Sequence, residues 1–578
     1  MIQNINSGYE KIHYPKSQRI KNQRDFRLTL NSRGLRSQLI KRAESSQWSY
    51  SHESRNFNDR DFRTLAKAFK SANRLQELKI FTRIFCRIQN GTLIQIIKNL
   101  KYLRSLQTLN LVLLECSKPT DKGFEEFSRG LKKISGLKTA ILSFGAGMAR
   151  MVVTNGMTDI RVENICKSLT RMRALEELTL ECMKSEQITS RSLEVVSDCL
   201  KKLASLSKIC LSFASCWNVH DHGLSSLIEG LESLKSLESL ALDFSECGQL
   251  SANGIRGLFK NLKSFQSLKS LSLALRSSNA IVDSVLSGLN ECFEGIDGLK
   301  SLALNFHQCS NITDAGFEFL SEGFKFLLDL SAIKLVFSEC AGLTDAAMDS
   351  IGGALRDLQR LKNLDFWFSG CRGITDRGLG ALSQSLTFLE DLRNICLYFS
   401  HCSEMTDDGI SSVWRALENL SLLESLRMSF SGCPKITDSG PKDLKNLTSL
   451  KVMSLDFSQC QSISNLSVRS LTQGIRNMAS LEILDLNLTW SNQITDKSLE
   501  YISEELKGLI CLRNIDLKFR LCSQITDAVF LVLGQSLKKC PSLKEIKLDI
   551  GKCEKITKPA VESVRQELKE FDCFIETI

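Results

Sequence analysis

Apolar residues follow two alternating patterns along this chain. In one segment Leu302, Leu304 and Phe306 occupy every second position, which predicts a short strand with one buried face. In another segment apolar residues recur at helical spacing, as in Leu379, Leu382, Leu386 and Leu389. The alternation of the two patterns predicts an α/β chain built from strand–loop–helix units.

The pattern repeats with a period of 31 residues. Around each cysteine of the repeat stands L-x-x-L-x-L-x-F-x-x-C-x-x-I-T-D-x-G, followed by a helical segment. Ser278 and Ser491 fill slots that lack the cysteine. The cysteines on the grid are Cys216, Cys247, Cys309, Cys340, Cys371, Cys402, Cys433, Cys522 and Cys553. A fixed period of this length is the signature of a solenoid.

Threonine–aspartate pairs mark the helix starts, because a hydroxyl or carboxylate oxygen can accept a free backbone N–H. They are Thr313-Asp314, Thr344-Asp345, Thr375-Asp376, Thr406-Asp407 and Thr437-Asp438. Strand positions from Ile80 to Leu548 count about sixteen repeats. Since no repeat can bury its apolar face alone, we expect a stacked horseshoe with a parallel sheet on its concave side and helices on its convex side.

Two irregularities interrupt the period. The spacing from Leu142 to Leu180 grows to 38 residues, with the excess in GAGMARMVVTNG. The spacing from Met428 to Leu455 shrinks to 27, which predicts a short or 3₁₀ segment near Pro441. The longer repeat at 142–180 is either a functional insertion beside the concave face or neutral variation of a loop.

Composition divides the chain into an arm and a body. Residues 1–60 hold twelve Lys/Arg against five Asp/Glu, whereas the net charge of the whole chain is +10, so the remainder is close to neutral. We therefore expect a basic, disordered arm over 1–57 and a solenoid over 58–578. A helical cap is expected over 58–75, and a closing helix over 558–570 before a final FIETI.

Several classes of protein are disfavoured. The chain has no apolar run long enough for a transmembrane helix and no signal-peptide core at its start, so we expect a cytoplasmic or nuclear location. The 21 cysteines then indicate buried thiols and no disulfide framework. Since catalytic, cofactor and metal motifs are absent from the sequence, we expect no enzyme activity and no cofactor.

The repeat motif resembles the cysteine-containing class of leucine-rich repeats found in F-box-type substrate receptors, and its helical half is similar to the ribonuclease-inhibitor type. The resemblance covers residues 58–578 and implies a leucine-rich-repeat solenoid. The repeat departs from that class in its longer period, and residues 1–57 lack the leucine- and proline-rich pattern of an F-box. The resemblance implies a fold, and it leaves the binding residues open.

The cysteine ladder has two interpretations. It could hold a metal or act in redox chemistry, but no C-x-x-C pair occurs, and the histidines are not placed to complete a tetrahedral site. We favour buried side chains that make weak S–H bonds to the backbone. A column of phenylalanines is likewise expected in the core: Phe213, Phe244, Phe306, Phe337, Phe368, Phe399, Phe430 and Phe457.

The outward strand positions are the candidate binding surface, because the fold does not dictate them. Val336, Trp367 and Tyr398 occupy the same position in successive repeats, so we expect one exposed apolar patch on the concave face. Its polar rim is predicted to contain Lys334, Asp365, Arg427 and His401. The alternative is cross-strand stabilisation without a partner.

Two weaker candidates remain. Trp490, Lys518 and Arg520 could form a second patch, although ordinary amphipathic surface is the simpler interpretation. The basic arm, with Tyr9, Tyr14, Phe26 and Trp48 among its charges, could bind nucleic acid or an anionic surface, although a solvated arm is the simpler interpretation there too.

Three functions follow from these observations. The first is a non-enzymatic scaffold that binds a protein partner on its concave face. The second is a substrate-recognition subunit of a ubiquitin ligase, which co-purification with a cullin-type ligase would distinguish. The third is nucleic-acid or anionic-surface binding through the arm. The sequence does not determine the oligomeric state, and we expect a monomer.

Overall fold

Parallel strands and helices alternate along the chain because each repeat carries one period-two and one helical segment. A computed structural model describes residues 47–52, 69, 74–82, 99–114, 120–145, 156–438, 447–475 and 478–577. Two compact units divide between Ala280 and Ile281 and are described separately. The solenoid of strand–helix repeats that the sequence predicts is confirmed.

In the first unit, each strand pairs in parallel with the next along the chain, from β1 to β8. The strands are β1 (Gln47–His52), β2 (Glu77–Thr82), β3 (Thr108–Leu114), β4 (Thr139–Gly145), β5 (Glu177–Met183), β6 (Lys208–Ser212), β7 (Ser239–Asp243) and β8 (Ser270–Ala274). The helices are α1 (Asp121–Leu131), α2 (Asp159–Leu169), α3 (Ser190–Leu200), α4 (Asp221–Glu232) and α5 (Ala252–Leu262).

In the second unit, β9 to β18 also pair in parallel and in chain order. The strands are β9 (Ser301–Asn305), β10 (Ala332–Val336), β11 (Asn363–Trp367), β12 (Asn394–Tyr398), β13 (Ser425–Ser429), β14 (Val452–Asp456), β15 (Ile483–Asn487), β16 (Asn514–Lys518), β17 (Glu545–Asp549) and β18 (Asp572–Glu576).

Successive helices of this unit pack against each other, from α6 to α10 and from α11 to α14. They are α6 (Asp283–Phe293), α7 (Asp314–Gly323), α8 (Asp345–Leu355), α9 (Asp376–Leu386), α10 (Asp407–Leu417), α11 (Asn465–Ile475), α12 (Asp496–Glu505), α13 (Asp527–Lys538) and α14 (Lys558–Glu567). Short 3₁₀ turns extend α7 over Phe324–Phe326 and α12 over Leu506–Gly508.

Four of the five threonine–aspartate pairs stand at described helix starts, as predicted, whereas the helix predicted after Thr437-Asp438 lies outside the described residues. Thr375 is the N-cap of α9, and its hydroxyl oxygen accepts the backbone N–H of Arg377 at 3.3 Å. Thr344 and Thr406 cap α8 and α10 in the same way. A hydroxyl acceptor at this position satisfies one of the first helical N–H groups, which contributes about 1 kcal/mol.

The core lies between the sheet and the helices. Leu364 and Phe366 of β11 and Leu379 and Leu382 of α9 are each at most 1% exposed. A fully buried leucine stabilises the fold by roughly 1.5–3 kcal/mol, so the stacked repeats together form a large apolar core. The other face of the sheet, opposite the helices, is called the open face below.

The sixteen predicted strand positions lie in β2 to β17. Both irregular spacings are absorbed without a break in the pairing, since Leu142 is in register with Leu180 and Met428 with Leu455. The insertion itself and the segment around Pro441 lie outside the described residues.

The ends of the chain add two strands to those counted from the sequence. β1 lies inside the segment assigned to the basic arm and pairs with β2, while the rest of residues 1–57 and most of the expected cap lie outside the described residues. The closing helix is α14, and the final FIETI contributes to β18. Among the described residues, no helix is both long and apolar enough to cross a bilayer.

Candidate functional site

Strands β10 to β13 bring the predicted site residues onto the open face. Their register aligns Lys334, Asp365, Cys396 and Arg427 in one row. A second row, two residues further along each strand, aligns Val336, Trp367, Tyr398 and Ser429. Because side chains alternate between the two sheet faces, both rows lie on the face opposite the core.

Trp367 is the best-fixed side chain of the site. Its ring stacks on Tyr398 with centroids 4.1 Å apart and planes at 28°. Its indole N–H donates to an Asp365 carboxylate oxygen. The Lys334 ammonium lies 5.0 Å above the ring and 2.7 Å from the other Asp365 oxygen. Stacking and the cation–π contact each contribute about 1 kcal/mol, so the indole is held in place before any partner arrives.

Val336 does not belong to the exposed patch, and that part of the prediction is wrong. Its side chain is only 7% exposed, whereas those of Trp367 and Tyr398 are half-buried. The short valine lies in register between Asn305 and the much larger Trp367, and these neighbours shield it from solvent. The apolar surface of the site is therefore the aromatic pair alone.

Arg427 supplies a positive charge beside the aromatic pair. Its guanidinium donates to the Ser425 hydroxyl at 2.8 Å, and no carboxylate among the described residues forms an ion pair with it. Cys396 lies between Arg427 and Asp365 in the row. Burial raises the pKa of its thiol to about 12, with the nearby Asp365 charge adding to the shift, so the thiol stays neutral at physiological pH.

His401 is exposed in the turn that follows β12, three residues after Tyr398. Its backbone is left-handed, with φ of 58°, and its N–H donates to the Ser431 carbonyl at 2.7 Å. The ring lies directly over Gly432, where an added Cβ would come within 2.3 Å of the imidazole Nδ1. Glycine at 432 thus leaves room for this orientation of the imidazole.

The second predicted patch has its charges already compensated. The Lys518 ammonium lies 2.8 Å from Asp485 and 3.3 Å from Asp516, and Arg520 lies 3.8 Å from Glu576. The two carboxylates facing Lys518 raise its pKa against the effect of burial, which lowers it. Trp490 is 48% exposed, but nothing pairs it with another aromatic ring in the described part of the chain.

The cysteine ladder and the phenylalanine column are structural, as the sequence favours. Each ladder thiol points at a backbone carbonyl of the preceding repeat, as in Cys371 to Phe337 at 3.2 Å and Cys433 to Phe399 at 3.3 Å. Phe337 and Phe368 stack with centroids 5.9 Å apart. Within the described ranges, no cluster of His, Cys, Asp and Glu could hold a metal ion.

The sequence does not predict one contact between repeats, a pair of hydrogen bonds from a threonine to an aspartate of the preceding repeat, which we call the clamp. The Asp345 carboxylate accepts both the backbone N–H and the hydroxyl of Thr375, each at 2.7 Å, across a separation of 30 residues. The same clamp joins Asp283 to Thr313 and Asp376 to Thr406. The sequence signal of the clamp is the recurrence of Thr-Asp at many of the helix starts, which by itself predicts only a cap within one helix.

No family model matches the chain, and a search of curated proteins found no match. Among solved structures, the chain is similar to a crystal structure described as the Rad7 and Elc1 complex in yeast. The identity is 18%, the TM-score is 0.42, and the match covers 76% of this chain and 90% of the other.

Proposed function

We propose that this protein is a non-enzymatic scaffold that binds a protein partner through the open face of β10 to β13. The observation that carries the proposal is the fixed Trp367–Tyr398 stack beside an arginine without a carboxylate partner. Tryptophan, tyrosine and arginine are the residues that most often dominate binding energy at protein interfaces. Cross-strand stacking by itself would stabilise the sheet, and the uncompensated Arg427 beside the pair is the feature that favours a partner.

The site is arranged to lose little entropy on binding. Trp367 is already fixed by Tyr398, Asp365 and Lys334, and neighbouring strands fix the backbone beneath it. A pre-organised surface avoids most of the cost of ordering side chains, which is about 0.5–1.5 kcal/mol for each one immobilised.

The charges of the site indicate which side chains a partner would need in order to bind there. Lys334 and Asp365 neutralise each other, so the uncompensated charge is that of Arg427. An apolar side chain that covers the aromatic pair, with a carboxylate next to it, would match both features. Fork-shaped guanidinium–carboxylate contacts add specificity as well as energy.

The test is affinity purification of the tagged full-length chain from its own cells. Partner recovery should fall at least tenfold for the double variant Trp367→Ala/Tyr398→Ala and fall less for Arg427→Ala. Trp490→Ala is the matched control, because it removes an exposed indole from the other patch. Thermal unfolding is measured on every variant.

The proposal fails if the double variant keeps its partner, or if Trp490→Ala loses the same partner to the same extent. A double variant that loses its partner together with its fold is replaced by Trp367→Phe, which keeps the stack and removes the indole N–H. If this folded variant binds like the wild type and Arg427→Ala does too, the open face of β10 to β13 is not the binding site.

A further inference from the structure

The turns that lead from each helix into the next strand form one continuous edge in the first unit. Backbone hydrogen bonds join successive turns, with Glu176 N–H to the Lys138 carbonyl at 2.8 Å, Ser207 to Glu176 at 2.9 Å and Glu238 to Ser207 at 2.8 Å. Equivalent positions of successive turns are therefore neighbours, at a spacing that rises from about 5 Å at the strand starts to about 8–10 Å at the helix ends.

This edge is strongly basic. Exposed lysines and arginines occupy the turns before β4 to β8, and none of them forms an ion pair with a carboxylate in the described ranges. We call these residues the basic edge: Lys133, Arg171, Arg173, Lys202, Lys235 and Lys263.

The carboxylates of the same turns do not neutralise the basic edge. Glu176 already pairs with Lys138 at 3.0 Å, and Glu238 with Lys269 at 2.5 Å. On the adjacent helix end, Glu229 lies 3.4 Å from Lys201. Glu232, at the end of α4, is the remaining acidic side chain beside Lys235. The unpaired charges on this edge are thus almost all positive.

The equivalent turns of the second unit show that the fold does not require such a charge. There several bases pair with acids of the neighbouring turn, as in Arg360 with Asp329 at 2.5 Å, Lys451 with Glu424 at 2.8 Å and Arg513 with Glu482 at 3.3 Å. Like charges separated by about a Debye length, roughly 8 Å, still repel one another and destabilise the fold that carries them. In the first unit the turns before β4 to β8 hold two acidic residues, Glu176 and Glu238, and both are already paired, so the other cations of these turns stay uncompensated.

We propose that the basic edge binds the phosphate backbone of double-stranded nucleic acid without reading its sequence. A one-dimensional row of closely spaced cations matches a linear polyanion, whose duplex carries one negative charge per roughly 1.7 Å of axis. Single-strand binders stack bases on exposed aromatic rings, and the turns of the basic edge expose none, since their one aromatic side chain, Phe265, is 6% exposed. The residues of the basic edge differ from those of the aromatic site and from those of the basic arm.

A membrane surface fits the basic edge less well. Peripheral membrane binding combines basic charge with apolar side chains that enter the headgroup region. The exposed large apolar residues found in the described part of the first unit are Ile160 and Trp217, and neither lies in these turns. Acidic polypeptides share the charge but lack the regular spacing of phosphates, so they serve as competitors in the test.

The experiment measures binding of the full-length chain to a fluorescent 30-base-pair duplex of random sequence, as DNA and as RNA, between 50 and 200 mM salt. The edge variant reverses four charges: Lys133→Glu, Arg171→Glu, Lys202→Glu and Lys235→Glu. The matched control reverses four exposed lysines in equivalent turns of the second unit: Lys300→Glu, Lys362→Glu, Lys539→Glu and Lys544→Glu. A third variant reverses Arg33, Arg36, Lys41 and Arg42 of the arm.

The wild-type chain should bind one of the duplexes, with an affinity that falls steeply as salt rises. The edge variant should bind at least about thirtyfold more weakly at 100 mM salt, and its slope of log affinity against log salt should be shallower by about 4. The control should change by less than about threefold. If the edge variant does not fold, the same four positions are changed to glutamine, and the same loss is expected in smaller measure.

Four outcomes would overturn the proposal. In the first two, neither duplex binds at 50 mM salt, or the edge variant and the control lose affinity for the duplex equally. In the third, only the arm variant loses affinity for the duplex. In the fourth, the chain binds polyglutamate or vesicles containing phosphatidylserine more tightly than it binds the duplex. The last outcome would assign the edge to an acidic protein or to a membrane.

Discussion

At the scale of single residues, the ladder cysteines and the clamp aspartates have different roles, although both recur at the spacing of the repeat. The thiols are buried and point at backbone carbonyls, so they fill space and satisfy acceptors. The aspartates bind the next repeat directly. Asp345 accepts three hydrogen bonds from that repeat, two from Thr375 and one from the Gly378 N–H at 3.0 Å.

Replacing Asp345 with alanine should therefore destabilise the fold by about 1–3 kcal/mol, because three donors of the next repeat lose their acceptor. Asp349→Ala is the control on the same helix. Its carboxylate is exposed and makes one ion pair, with Arg377 at 3.1 Å, so its removal should change stability by less than about 0.5 kcal/mol. Urea unfolding midpoints provide the measurement, and equal shifts in the two variants would refute the clamp.

At the scale of elements, adjacent helices approach closely because glycine follows the aspartate. A Cβ on Gly378 would lie 2.5 Å from Asp345 Oδ1 and 3.0 Å from Met348 Cγ. Gly409 meets Asp376 of the preceding helix in the same way, with its Cβ position 2.5 Å from Oδ1. The glycine of T-D-x-G thus serves helix packing and access to the clamp.

Two glycines of α9 should respond to alanine in opposite directions. Gly378→Ala should destabilise the protein by about 1–3 kcal/mol, since the added methyl group overpacks the helix interface. Gly380→Ala should stabilise it by about 0.5–1 kcal/mol, because its Cβ would meet nothing within 4 Å and alanine is the better helix former. Thermal unfolding of both variants decides the point, and shifts of the same sign would contradict the packing argument.

At the scale of the whole molecule, the buried thiols couple stability to alkaline pH. Burial raises the pKa of Cys247, Cys371, Cys433 and Cys460 to about 12. In the unfolded chain a thiol titrates near 8.5. The unfolded state therefore releases protons first as pH rises, so the stabilisation is complete below about pH 8.5 and is lost progressively between about 8.5 and 12.

Unfolding midpoints measured in urea and reductant should accordingly fall steeply above about pH 9. The variant Cys371→Ser/Cys433→Ser should show a shallower fall, because two of the titrating groups are gone. Serine is a matched replacement, since Ser278 and Ser491 occupy the same slots in other repeats and are at most 7% exposed. Parallel pH profiles for wild type and variant would disprove the link to these thiols.

The same purification that tests the open face also bears on the ubiquitin-ligase hypothesis. A cullin-type ligase recovered with the wild-type chain would support a role in substrate recognition, whether or not the aromatic pair mediates it. Recovery of another partner without a ligase would favour the simple scaffold.

The sequence by itself determined the repeat period, the strand positions, the helix starts and the buried columns. These features depend on local periodicity and capping, which short stretches of chain specify, as Thr375 and the alternation around Phe366 show. The packing of repeats on one another determined the contacts between repeats, because residues 31 positions apart in the sequence become neighbours only when the repeats pack. That packing buries Val336 beside Trp367 and brings Asp345 within hydrogen-bonding distance of Thr375. It also places unpaired cations of successive turns side by side on the first unit, although residues 61–578 together are nearly neutral.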